Sequence, residues 1–111
     1  MQAQDYLPLT ETSFFILLSL ATTPKHGYGI IKEVEAISAG RVVLAAGTLY
    51  SALRRMLEDG WIERLEDDQS NGESRERKLY CLTDLGRHIF ELETIRLQKL
   101  VRLTANLNIR E

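Results

Sequence analysis

Helical periodicity ends abruptly at Gly60-Trp61, and the residues beyond have the texture of a β-hairpin. Trp61 to Asp67 and Arg75 to Leu82 flank the polar stretch Gln69 to Ser74, whose Asn71-Gly72 pair suits the positive φ angles of a tight turn. Three helical segments precede it. Thr10 is placed to cap the first, with Glu11 in its first turn, and Phe14, Phe15, Ile16, Leu17, Leu18 and Leu20 run on to a stop before Pro24. Ile30, Ile31, Val34 and Ile37 then recur at helical spacing until Gly40, which ends a second, shorter helix. After a brief β-branched stretch from Arg41 to Leu44, a third helix spans Ala45 to Asp59, beginning near Gly47 or Thr48 and stopping at Gly60. Past the hairpin, Thr83 caps a last helix, with Asp84 in its first turn, and the helical pattern runs to the C-terminus.

This order of helix, helix, helix, hairpin and long helix makes the chain mainly α with a small β-hairpin, the winged form of the helix-turn-helix. We divide it into a winged domain over residues 1–83, with a short N-terminal arm at 1–9, and a C-terminal dimerisation helix over residues 84–111. Its 111 residues are one domain's worth, and 44% hydrophobic with 27% charged residues is the composition of an ordinary soluble globule. The single cysteine, Cys81, excludes an internal disulfide framework and a multi-cysteine zinc site, so burial must hold the fold together. No export signal is visible, since acidic Asp5 and no Lys or Arg precede the apolar run, and Phe14 to Leu20 is far short of a membrane span. A cytoplasmic location, with no membrane partner, is the expectation.

In the third helix, Leu49, Ala52, Leu53, Met56 and Leu57 fall on one side, and Gly47, Ser51, Arg54, Arg55 and Glu58 on the other. The outer side is small at its start and cationic in its middle. Short side chains let a helix N-terminus approach phosphates, and Arg reads guanine edges or binds phosphate. Tyr50 lies at the edge of the apolar stripe, where its ring packs while its hydroxyl reaches a phosphate. With 14 Lys+Arg against 16 Asp+Glu the net charge is -2, which by itself argues against nucleic acid. Counted by segment the sign reverses. From Arg41 to Leu57 there are three basic residues, Arg41, Arg54 and Arg55, and no acid, while Arg75, Arg77 and Lys78 open the second strand. Glu66, Asp67 and Asp68 lie on the outgoing strand, so the returning strand is expected to approach DNA and the outgoing one is not.

These residues also carry a resemblance. His26-Gly27-Tyr28-Gly29-Ile30-Ile31 is similar to the HGY motif of the PadR family of bacterial transcriptional regulators, and Gly47-Thr48-Leu49-Tyr50-Ser51-Ala52-Leu53 to its GTLY motif. Glu58-Asp59-Gly60-Trp61-Ile62 resembles the family's acidic-Gly-apolar exit, and Arg77 through Gly86 its basic-Tyr-x-Leu-Thr-x-x-Gly run. The four motifs occur in order over about residues 10 to 90. The resemblance implies a homodimeric winged helix-turn-helix repressor on an inverted-repeat operator, with Tyr28, Thr48, Tyr50, Arg54, Arg77 and Lys78 as DNA contacts. Ser51 stands where the family often has Pro, which frees a hydroxyl for DNA. The last helix also lacks the Trp that some short members use to stack planar drugs. With the residue reading added, the DNA-binding set is Tyr28, Thr48, Tyr50, Ser51, Arg54, Arg55, Arg75, Arg77 and Lys78.

The last helix holds one apolar line at Leu85, Ile89 and Leu92, interrupted by Arg96, and a second at Leu97, Leu100, Leu103 and Leu107. The first reads as packing on the winged domain and the second as facing a partner copy. The first helix is apolar on nearly every side, so Phe14, Phe15 and Leu18 join those leucines as the expected dimer contact. Pairing sets two recognition helices about one helical turn (~34 Å), or a multiple of it, apart on double-stranded operator DNA.

No enzyme chemistry is expected, because no nucleophile triad, phosphate loop or catalytic carboxylate pair is present, and no cofactor or metal is expected either. His26 reads as a turn residue before the second helix, His88 as a surface residue, and Cys81 as a small strand hydrophobe. A small hydrophobic effector at the dimer interface is the expected switch, with Phe14, Phe15, Trp61 and Ile95 as candidates to line its pocket. The rival reading is a winged-helix module that binds a protein partner and has lost DNA contact.

Overall fold

The computed structural model describes residues 2–66 and 78–111; the Asn71-Gly72 turn, Arg75 and Arg77 lie outside the described residues. A 3₁₀ helix at Ala3–Tyr6 is followed by α1 (Glu11–Thr22), α2 (Gly27–Ile37), α3 (Ala46–Glu58), β1 (Ile62–Glu66), β2 (Lys78–Leu82) and α4 (Asp84–Arg102). The order is the one read from the sequence.

Both predicted caps form. The Thr10 side chain accepts from the amide of Ser13 at 3.1 Å, and Thr83 accepts from Gly86 at 3.1 Å while its own hydroxyl donates to the Gly60 carbonyl. Thr83 therefore starts α4 and ties it to the exit of α3. The Trp61 carbonyl, which accepts from Thr83 N at 3.1 Å, occupies the space a Cβ on Gly86 would need, so only glycine lets α4 cross there. Trp61 itself is buried at the base of the hairpin, with the Tyr6 ring edge-on to it at 5.0 Å.

The predicted inner face of α3 is the observed one: Leu49, Ala52, Leu53 and Met56 are buried with Ile16, Leu17 and Leu20 of α1 and Ile30 and Val34 of α2. That core carries the hairpin, whose antiparallel register pairs Ile62 with Leu82, Arg64 with Tyr80 and Glu66 with Lys78. Alternation places these six residues on one side of the ribbon. Ile62 and Tyr80 are buried, which identifies it as the inner side.

The segment before α2 adds an edge that periodicity did not reveal. Lys25 exchanges two backbone hydrogen bonds with Tyr80, at 3.1 and 2.9 Å, and His26 Nδ1 bonds the Lys78 carbonyl at 3.0 Å. Two strand segments and the start of α2 are thereby locked in register.

Two expectations are corrected. The second helix stops at Ile37, short of Gly40, where the Ser38 amide bonds the Val34 and Ala36 carbonyls. The last helix ends at Arg102 and does not run to the C-terminus. Thr104 explains that stop: its hydroxyl and amide both bond the Val101 carbonyl, at 2.7 and 2.9 Å, and the turns that follow are of the i to i+3 kind. Leu103 thus sits at the C-cap and Leu107 beyond the helix.

Helix α4 has two parts, as its apolar lines implied. Ile89 is buried, and Leu85, Phe90 and Leu92 pack on the core, whereas every residue from Gln98 to Leu103 is exposed. Phe14 of α1 stacks on Phe90 at 5.5 Å, so part of the surplus apolar surface of α1 is covered within the chain. Glu93 is 2% exposed and reads as out of place until its partners are counted. It accepts from the Leu9 amide at 2.9 Å and from Arg96 at 2.5 and 3.0 Å, so it fastens the N-terminal segment to α4. The Arg96 guanidinium holds the Glu93 carboxyl below its usual range, against the opposing effect of burial.

Candidate nucleic-acid interface

Helix α3 is buried along one side only, and Gly47, Thr48, Ser51, Arg54, Arg55 and Glu58 of its other side are all exposed. Its first turn is made of Ala46, Gly47 and Thr48, with no acid and nothing within 4 Å of the place a Gly47 Cβ would occupy. A bulky ligand can reach those amides. The acids Glu58 and Asp59 stand at the opposite end.

A cleft lies on each flank of α3, and the two arginines part company there. Arg54 lines the cleft toward the hairpin, about 440 Å³, together with Tyr50, Leu53, Leu57, Arg64, Lys78 and Tyr80. Arg55 lines the one toward the start of α1, with Thr10, Thr12, Ser13, Thr48 and Ser51. Of the residues predicted from sequence, Tyr50, Arg54 and Lys78 therefore meet in one place and Thr48, Ser51 and Arg55 in another. Tyr28 lines neither; it stands 69% exposed on α2 with Lys32 Nζ 5.5 Å from its ring centre. Arg75 and Arg77 fall outside the described residues.

Tyr50 is half-buried, and its ring and hydroxyl lie where a Cβ of Gly27 would be, which joins the motif that opens α2 to the motif that opens α3. Its neighbour Tyr80 has a hydroxyl pushed up in pKa by burial and then by Tyr50, while the charge and hydrogen bond of Arg64 pull the other way. The Tyr80 phenol thus stays protonated at physiological pH. Arg41, counted above as part of the basic segment, is instead paired with Glu11 at 2.8 Å. Cys81 lies on the outer side of the hairpin, its thiol pushed up by burial and by Glu63, the residue across the strand, which disfavours the reactive thiolate.

Sequence reasoning missed Arg64, Thr10 and Thr12 as neighbours of α3. Arg64 was two residues from buried Ile62, and so on the same side of a strand, but without the cross-strand register that position has no neighbours to point to. Among the described residues no group of three or more His, Cys, Asp or Glu is placed to hold a metal, and no helix is long and apolar enough to cross a membrane.

Three helices with the third presented outward, flanked by a two-stranded hairpin, define a winged helix-turn-helix protein. Residues 16–92 match the Transcriptional regulator PadR-like family, and the chain belongs to that family. A PadR family transcription regulator from Clostridium difficile is similar with a TM-score of 0.70 and 26% identity, over 86% of this chain and 96% of that one. Bacillus subtilis PadR, solved in complex with operator DNA, is similar in fold with a TM-score of 0.68 and 24% identity, over 80% of this chain and 49% of that one. A 37.1 kDa protein in a transposon of Streptomyces fradiae is 35% identical over 83 residues, 75% of this chain, and the chain spans 22% of that relative.

Proposed function

We propose that this chain is a homodimeric, sequence-specific DNA-binding repressor that places α3 of each copy in the major groove of an inverted-repeat operator. The observation that carries the reading is the face of α3 itself: an acid-free first turn, then Arg54 and Arg55, each in its own cleft beside the helix. Operator binding by Bacillus subtilis PadR, whose fold is shared, supports it. Thr48, Ser51 and the α3 amides lie closest to bases in this reading, and Tyr28, Tyr50, Arg55 and Lys78 hold the phosphates on either side. Arg75 and Arg77 belong to the same set by their place in the sequence.

Two copies meet, in this proposal, through the exposed half of α4 and the open end of α1. Phe14 and Leu97 line a shallow, largely apolar groove there with Thr94, Gln98, Val101 and Arg102, and Leu100 and Leu103 stand exposed beside it. A small hydrophobic effector that releases the repressor binds at this interface. Of the side chains considered for its pocket, Phe14 lines the groove, while Phe15 and Trp61 pack in or on the core.

The test is a titration of DNA flanking the protein's own gene at two salt concentrations. Affinity falls steeply between them, and Arg54→Ala abolishes the specific complex while leaving the dimer intact. A salt-insensitive or absent complex instead marks a winged-helix module that binds another protein.

A further inference from the structure

Resting on the DNA-binding reading, we infer that Arg64, on the outgoing strand β1, completes a seat for a DNA backbone phosphate between α3 and the hairpin. Arg54 and Lys78 supply the other two cations of the seat. This reverses the expectation that only the returning strand approaches DNA.

The strand register produces the convergence. Arg64 sits opposite Tyr80 and two pairs inward of Glu66 and Lys78, so Arg64 and Lys78 share the side of the ribbon that faces α3. Arg54 enters the same cleft from the helix. Among the described residues, the rest of the lining is Tyr50, Leu53, Leu57 and Tyr80, with no carboxylate. Glu66, the acid on that side of β1, lies at the outer end of the strand and outside the lining. Buried Tyr80 stands directly across the strand from Arg64, and both line the cleft.

Glu66 faces Lys78 across the strands, so the two arginines carry the excess positive charge of the cleft, and an anion seated between them relieves their repulsion. The planar fork of Arg matches two oxygens of a phosphate, and Tyr50 and Tyr80 line the cleft beside it. The ligand is therefore a singly charged phosphodiester of the strand that passes between recognition helix and wing. As a phosphate contact, Arg64 contributes affinity and register and no base preference.

The experiment measures the salt dependence of binding for the full-length chain on two duplexes, one from the DNA flanking its own gene and one scrambled duplex of equal length. Arg64→Gln lowers the slope of log K against log salt by about one unit, and weakens both complexes by a similar factor, roughly three- to tenfold. Arg64→Lys restores the slope. In a series of duplexes with single methylphosphonate substitutions, one position that weakens the wild-type complex has no effect on Arg64→Gln. A wild-type slope in Arg64→Gln, or a loss confined to the specific duplex, overturns the inference and leaves the DNA-binding reading standing. So does inorganic phosphate that displaces DNA at constant ionic strength, since the seat then belongs to a free anion. Wild-type protein that binds neither duplex overturns the DNA-binding reading itself.

Discussion

The ring and hydroxyl of Tyr50, on α3, occupy the space that a Cβ on Gly27, in the first turn of α2, would fill. The two helices of the helix-turn-helix are thus set against each other through one aromatic side chain and one missing methyl group. Tyr50 in turn lines the cleft that holds Arg54 and Lys78, so the contact fixes the geometry of the basic face as well as the core beneath it.

Gly27→Ala is expected to destabilise the protein by about 1–3 kcal/mol through overpacking, and to weaken DNA binding by displacing Tyr50. In a Tyr50→Ala background the same change costs less than half as much, because the atom it strikes is gone. Denaturant unfolding of the two single variants and the double variant checks this. Additive losses would show that Gly27 answers to something other than Tyr50.

Gly86 offers a contrast, since the obstacle there is the backbone carbonyl of Trp61. No side-chain substitution relieves that clash, and the carbonyl is also bonded to Thr83. Gly86→Ala is expected to cost more than ~3 kcal/mol and to shift α4 against the hairpin. A thermal midpoint within a few degrees of wild type would contradict it.

Glu93 predicts a pH dependence with a definite sign. Arg96 lowers its carboxyl pKa in the folded protein, so its contribution is complete above the ordinary carboxylate value of ~4.3 and is lost as pH falls through the lower folded value. Glu93→Gln is expected to cost about 1–2 kcal/mol near neutrality, and the gap from wild type narrows below about pH 4. Thermal unfolding across pH measures the gap. A constant gap would mean that the Glu93 charge is not what holds Leu9 and Arg96.

The exposed leucines of the last helix separate assembly from folding. Leu100 and Leu103 are 48% and 80% exposed, so Leu100→Glu with Leu103→Glu is expected to leave the thermal midpoint of the monomer nearly unchanged and to abolish the dimer. Analytical ultracentrifugation over a concentration series reads the outcome. A variant that still sediments as a dimer would move the interface elsewhere.

Much of the architecture was legible in local pattern. The caps at Thr10 and Thr83, the apolar stripe of α3 and the change of period at Trp61 all depend on neighbours within one or two turns, where residue type and spacing act directly. The basic outer side of α3 was legible for the same reason. The length of the last helix was not, because its apolar line continues to Leu107 while the Thr104 hydroxyl competes for a carbonyl the helix would use.

The sequence by itself determined the order of elements, the buried side of α3 and the family motifs, since each is written in periodicity or in contiguous residues. Tertiary structure alone decided that Arg54 and Arg55 serve different clefts, that Arg64 stands beside Lys78, and that Glu93 clasps Leu9. The physical reason is common to all three. Each depends on strand register or on contacts between residues far apart in the chain, and a helical wheel that groups two arginines on one face carries no record of what packs on either side of it.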